Sequence, residues 1–207
     1  RCCTQNGIRG GSATVHFPIW HKEIRDIIVL KNNKGTEDNR VRKLDYSIQL
    51  SKLFYERFIT NQKITLFSPH DVPGLYDSFG TESFDELYTR YESDESIPKT
   101  SIDAQELILD ILKERAETGR LYLMNMDHCN THSSFLDKVN MSNLCQEITL
   151  PTKPLKHIDD PDGEIALCIL SAINVGKINR LDELEDLCDL SVRGLEELID
   201  YQGYPVK

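Results

Sequence analysis

The sequence has no surplus of positive charge: Lys and Arg number 24 against 34 Asp and Glu, a formal net charge of −10. That balance excludes a general affinity for DNA or RNA, which needs basic residues to displace counterions, and it excludes attraction to an anionic membrane surface. Small phosphorylated ligands stay open, because one Arg or a helix N-terminus binds them whatever the total charge. Long apolar runs are also missing, and nothing approaches the roughly 20 residues of a membrane-spanning helix. No charged leader precedes a small-residue cleavage site. The chain starts at Arg1 rather than Met and stops soon after a helical pattern, so both ends are expected to be truncated. The hydrophobic share of 39% is ordinary, so a folded, soluble piece of a longer protein is expected rather than a disordered one.

Cysteines are few and unevenly spread: Cys2, Cys3, Cys129, Cys145, Cys168 and Cys188. Without a signal peptide they do not read as an extracellular disulfide framework, and a reducing cytoplasm is expected. Some of these thiols are then free for chemistry.

Strand-like and helix-like stretches alternate, which implies an α/β architecture. Residues 12–20, 44–48, 64–67 and 121–126 read as strands by their β-branched and aromatic content. Residues 21–30, 50–59 and 84–91 carry apolar side chains at helical spacing. The clearest helix spans 102–118, with Leu107, Ile108, Ile111 and Leu112 on one face, Ser101 or Asp103 as its cap and Gly119 at its end. Residues 144–150 and 165–172 read as strands, the second apolar enough to be buried on both faces. A long acidic helix is expected over 181–200, burying Leu181, Leu184, Leu187 and Leu190. Residues 31–35 read as a turn, and 91–99 and 156–163 as loops.

Chemistry is concentrated in Ser142-Asn143-Leu144-Cys145-Gln146-Glu147-Ile148. In an extended segment alternate residues share a face, so Asn143, Cys145 and Glu147 are expected in a row about 7 Å apart. An amide, a thiol and a carboxylate so placed can bind hydroxyls, exchange hydrogen and move protons. The simpler reading is a strand with one buried Cys between polar neighbours. Thr4-Gln5-Asn6-Gly7-Ile8-Arg9-Gly10-Gly11 is glycine-rich but lacks the Lys-Ser/Thr pair of a phosphate-binding loop, so it reads most simply as a turn before a strand. Asp127-His128-Cys129-Asn130-Thr131-His132 holds metal-ligand types, but no second ligand pair follows at the usual spacing, and no metal is expected there. His16, His21, His70 and His157 have no evident partner, and Cys188 in the acidic helix reads as inert.

A wider set of strings, in order, changes this balance: FPIWH, LKNNKG, NRVRKLDY, LFSPHDVPGLYD, ETGRLYLMN, DHCNTHS, SNLCQEI, LPTKPL and GEIALCILSAINVG. Together they resemble the catalytic large subunit of class I ribonucleoside-diphosphate reductases, of bacterial or bacteriophage type. The resemblance implies that residues 1–207 are part of a ten-stranded α/β barrel, with a specificity loop at 4–11 and an active-site loop around 142–148. It implies a radical thiol at Cys145, hydroxyl-handling groups at Asn143 and Glu147, and a substrate contact surface over Asn143, Leu144, Cys145, Gln146 and Glu147. Cys168 matches one member of the redox dithiol, whose other member lies outside this chain; Cys2 and Cys3 match a different segment. Gln5 and Arg9 match the residues that reach toward the substrate base.

The implied reaction converts ribonucleoside diphosphates to deoxyribonucleoside diphosphates for DNA synthesis. Thioredoxin or glutaredoxin supplies electrons, a small subunit with a dinuclear metal centre supplies the radical, and allosteric ATP and deoxynucleoside triphosphates tune a large-subunit homodimer. This chain itself is expected to carry no cofactor and to act in the cytoplasm, or the host cytoplasm if phage-encoded. Alone it is expected to be inactive. The alternative is a split-gene product with an assembly role beside companion polypeptides; a metal module at Asp127–His132 is a third.

Overall fold

Central to the fold is a strand buried on both faces yet polar on one of them. The computed structural model describes residues 4–5, 7–201 and 203–204, and the chain divides between Pro151 and Thr152 into two compact units. The first unit opens with a hairpin, β1 (Thr4–Gln5) and β2 (Arg9–Gly10), followed by β3 (Thr14–Pro18), α1 (Ile24–Ile28), β4 (Asp45–Leu50), α2 (Lys52–Ile59) and β5 (Lys63–Phe67). Then come α3 (Leu75–Ser78), α4 (Phe84–Ser93), β6 (Lys99–Asp103), α5 (Ala104–Thr118), β7 (Leu121–Asn125) and α6 (Met126–Thr131). The second unit has one long helix, α7 (Glu183–Tyr201).

Strands β3, β4 and β7 form a parallel sheet with β4 in the middle, and β5 and β6 pair antiparallel. Parallel neighbours need covered crossovers. Here α1 lies in the first crossover and α2, α3, α4 and α5 in the second. Every buried hydrophobic side chain described falls between Phe17 and Val139. Trp20, Phe79, Phe84, Tyr88 and Phe67 form a chain of edge-on and tilted aromatic contacts inside that core. Such rings prefer edge-on and offset geometries because their faces are negative and their edges positive.

The clearest helix forms for the expected reasons. Asp103 accepts hydrogen bonds from the amides of Gln105 and Glu106, meeting two of the donors a helix start leaves unpaired. Gly119 ends the helix at φ +65°, a conformation glycine adopts without a Cβ clash. The buried stripe is Ala104, Leu107, Ile111 and Glu114, whereas Leu112 is exposed. Asp103→Ala should lower stability by about 1 kcal/mol, read as a shift of the denaturant midpoint at unchanged slope.

Three expectations are corrected. Residues 144–150 and 165–172 are not strands. A strand exists through its ladder, and neither stretch belongs to a sheet; among the described residues of the second unit the one pairing is the bridge between Lys153 and Glu164. Ile165, Leu167 and Leu170 are accordingly exposed. The α7 stripe is also not buried: Leu181 is 85% exposed and Leu190 65%. In the opposite direction, residues 99–103, taken as loop and helix start, form strand β6 because β5 offers its edge.

Candidate active site

The site is built on the polar face of β4. Tyr46, Ile48 and Leu50 alternate with Ser47 and Gln49 along the strand, and all five are buried. Such alternation ordinarily marks a strand with one face in water. In this protein the polar face is covered by the segment leading into and through 142–148. Gln49 Nε2 donates to the carbonyl of Asn140 at 2.6 Å, and Ser47 Oγ donates to Gln146 Oε1 at 2.7 Å. From β3, Thr14 Oγ1 donates to the carbonyl of Leu144 at 2.6 Å. From β7, the carbonyl of Leu123 accepts Gln146 Nε2 at 2.8 Å. All three strands of the parallel sheet therefore hold the loop.

Upstream the loop is pinned to α6. Asn130 Oδ1 accepts the amide of Val139 at 2.8 Å and Asn130 Nδ2 donates to the Val139 carbonyl at 3.1 Å. Val139 is fully buried. The DHCNTHS string thus borders the loop as expected, through its Asn. Its metal-ligand types have other partners: Asp127 Oδ2 accepts the amide of Lys52 at 2.6 Å at the start of α2, and Cys129 packs against the core, where burial pushes its thiol pKa up. Rings of His128 and His132 meet edge-on at 5.6 Å. Among the described residues no three His, Cys, Asp or Glu side chains converge on a metal position.

Residues 143–147 form a turn rather than a strand. The amide of Gln146 donates to the carbonyl of Asn143 at 3.2 Å, and Gln146 has φ +64°. That left-handed residue breaks the alternation on which the row of Asn143, Cys145 and Glu147 depended. Asn143 is half-buried and caps the turn, its Oδ1 accepting the Ile148 amide at 3.0 Å. Ser142 reaches over to the Ile148 carbonyl. Cys145 and Glu147 are both exposed. His16, on β3, lies in register with Ser47 on the loop-facing side of the sheet. Burial lowers its pKa, against an opposing contribution from the Ser142 backbone.

At the other end, Gln5 and Arg9 are register partners in the β1–β2 hairpin, whose turn passes through Gly7 at φ +71°. Arg9 is exposed. Cys168 lies in the second unit and is exposed, as is Cys188; Cys2 and Cys3 lie outside the described residues. A groove of 390 Å³ between α1 and α5 is lined by Arg25, Glu106, Asp110 and Lys113, among others, and includes none of residues 142–148. Sequence reasoning missed Thr14, Ser47 and Gln49. The alternation of Ser47 and Gln49 with Tyr46, Ile48 and Leu50 was the available signal, but it points to a solvent face as readily as to a covered one.

The family model described as "Ribonucleotide reductase, barrel domain" matches residues 1–207. The chain belongs to the ribonucleotide reductase barrel-domain family. It is 56% identical over 211 residues to the ribonucleoside-diphosphate reductase subunit alpha of Buchnera aphidicola subsp. Schizaphis graminum, covering 100% of this chain and 28% of that protein. Identity to the subunit alpha of Haemophilus influenzae is 57%, with the same two coverages. For the subunit alpha of Enterobacteria phage T4 it is 44% over 214 residues, again with 100% and 28% covered. The chain therefore spans 28% of the length of these relatives. Its mixed α/β architecture is that of part of the family's barrel.

Proposed function

We propose that this chain supplies the thiyl-radical segment of a ribonucleoside-diphosphate reductase, with Cys145 as the reacting group. The observation that carries the reading is the anchored turn, which holds an exposed thiol and an exposed carboxylate two residues apart on a loop fixed to three strands. A thiyl radical at Cys145 removes the hydrogen from C3′ of the ribose, forming S–H and leaving a carbon radical. The two bonds are close enough in strength for the exchange to reverse. Glu147 takes the 3′-hydroxyl proton as general base, and the Asn143 amide holds the 2′-hydroxyl, which accepts a proton from the reducing dithiol and leaves as water. Cys168 is one thiol of the pair that delivers two electrons; its partner comes from outside this chain.

Residues 143–147 make the substrate surface, Gln146 through its main chain because its side-chain amide is engaged by Ser47 and Leu123. The hairpin carrying Gln5 and Arg9 is the base-specificity element. Such radicals must be kept from water, so the exposure of Cys145 calls for cover from the rest of a large subunit, here taken as a homodimer. The remaining partners are a small subunit whose dinuclear metal centre makes the radical, thioredoxin or glutaredoxin as reductant, and allosteric ATP and deoxynucleoside triphosphates. No described helix is long and apolar enough to cross a membrane; the cytoplasm is the proposed location.

The test is reassembly. Purified chain with small subunit, reductant and CDP should give no dCDP, whereas adding the remaining segments of the large subunit should restore turnover. Product from the chain alone, or none from the complete set, would overturn the reading.

A further inference from the structure

Gln146 is the only described non-glycine residue besides Asn61 with a positive φ. A left-handed backbone disfavours side chains that carry a Cβ, and asparagine, aspartate and glycine are the residues that usually accept it. Glutamine at φ +64° has no local reason to stay there. The reason lies across the fold. Its Oε1 accepts from Ser47 Oγ on β4 at 2.7 Å, and its Nε2 donates to the Leu123 carbonyl on β7 at 2.8 Å. Ser47 is fully buried, and Gln146 is half-buried with both ends of its amide engaged.

From this we infer that Ser47 and Gln146 form a positioning clamp for the radical thiol. The glutamine amide straddles two adjacent parallel strands, so the backbone at 146 cannot relax to the right-handed or extended region without breaking two half-buried hydrogen bonds. With that φ fixed, the Gln146 amide stays on the Asn143 carbonyl, and Cys145 is presented outward between them. Neither Ser47 nor the Gln146 side chain touches the reacting atoms. Both act through the turn. The inference rests on the reading of Cys145 as the reacting group, but the hold on the turn can be measured without catalysis.

Hydrogen exchange on the 207-residue chain reads that hold at two amides, those of Gln146 and Ile148, which donate to Asn143. Ser47→Ala and Gln146→Ala should each speed exchange at both amides about tenfold, the scale of one or two ordinary hydrogen bonds. The double variant should go little further than Gln146→Ala, because the two residues share one interaction. Amides of α5 should be unaffected. Equal exchange in wild type and variants, or effects of the two substitutions that simply multiply, overturns the clamp. Should Gln146→Ala fail to fold, Ser47→Ala, which removes a single oxygen, decides alone.

In the reassembled reductase the same variants should lower kcat about tenfold with KM within about twofold, the split expected when geometry for the reaction is lost but binding is not. Faster exchange with unchanged kcat would leave the clamp a fold element only and overturn its positioning role. A reassembled wild-type enzyme without turnover would instead defeat the Cys145 reading, while the exchange data still decide whether the clamp exists.

Discussion

Cys145→Ser in the reassembled reductase should lower turnover by about four orders of magnitude or more, the scale on which deletion of a reacting group acts. Serine keeps the shape of the turn. The Asn143 carbonyl still accepts the Gln146 amide, and Gln146 still reaches Ser47 and Leu123, since none of these bonds uses the sulfur. What changes is the bond strength at the reacting atom: an alcohol O–H is far stronger than a thiol S–H, so an oxygen radical is not formed under conditions that generate a thiyl. Measuring dCDP formation beside hydrogen exchange at residues 146 and 148 separates the chemistry from the scaffold. Appreciable turnover in the serine variant, with exchange unchanged, would remove Cys145 from the mechanism.

The second large effect is on stability. Arg57 on α2 makes a two-pronged pair with Glu92 on α4, both contacts at 2.5 Å, and the side chains are only 12% and 19% exposed. Thr65 Oγ1 on β5 donates to the same carboxylate at 2.6 Å, and the guanidinium lies 5.0 Å from the Tyr88 ring centre. Tyr88 in turn donates to the Thr65 carbonyl and accepts its amide. Burial alone would raise the Glu92 pKa, but hydrogen bonds from Arg57 and Thr65 with the nearby Arg57 and Lys99 charges outweigh it and hold the carboxyl below its ordinary value.

Arg57→Ala leaves that carboxylate buried without its main partner and should cost about 3 kcal/mol near neutral pH. The sign with pH follows from the depressed pKa. The pair's contribution is fully present above the unfolded glutamate value of about 4.3 and is lost as pH falls through the lower folded value. The gap between wild type and variant should therefore narrow on acidification from pH 7 toward pH 3 in urea titrations. A gap below about 1 kcal/mol at neutral pH, within the range of a surface ion pair, would show that the pair is not a structural element.

Much of the fold was legible because it is local. In α5 the Asp103 cap and the Gly119 terminator bound the helix, which begins at Ala104 rather than at the expected residue 102. Strand β6 was not legible: Lys-Thr-Ser-Ile-Asp is mostly polar, and it becomes a strand only because β5 lies alongside. The reading of residues 142–148 as a strand failed for a related reason. The alternating pattern there fits a strand, and what bends the segment is a left-handed glutamine held by residues far along the chain. No short-range signal marks such a position. Family likeness proposes which residues make the site but not how they are arranged, since the sequence does not announce which face of β4 another segment will cover.

The order in which the strands join has a kinetic consequence. β3 meets β4 across residues 19–44, with one α-helix between them, but Tyr46 pairs with Leu121 only after an antiparallel pair and most of the unit's helices have intervened. Contacts between residues distant in sequence close late, because the entropy of the intervening loop must be overcome before the pairing gives anything back. The perch for Gln146 needs Ser47 and Leu123 side by side, so it cannot exist before β7 docks. The 142–148 turn is therefore among the last pieces of the first unit to settle, and a chain that has collapsed but not yet zipped its third parallel strand carries Cys145 on a segment without its Leu123 anchor.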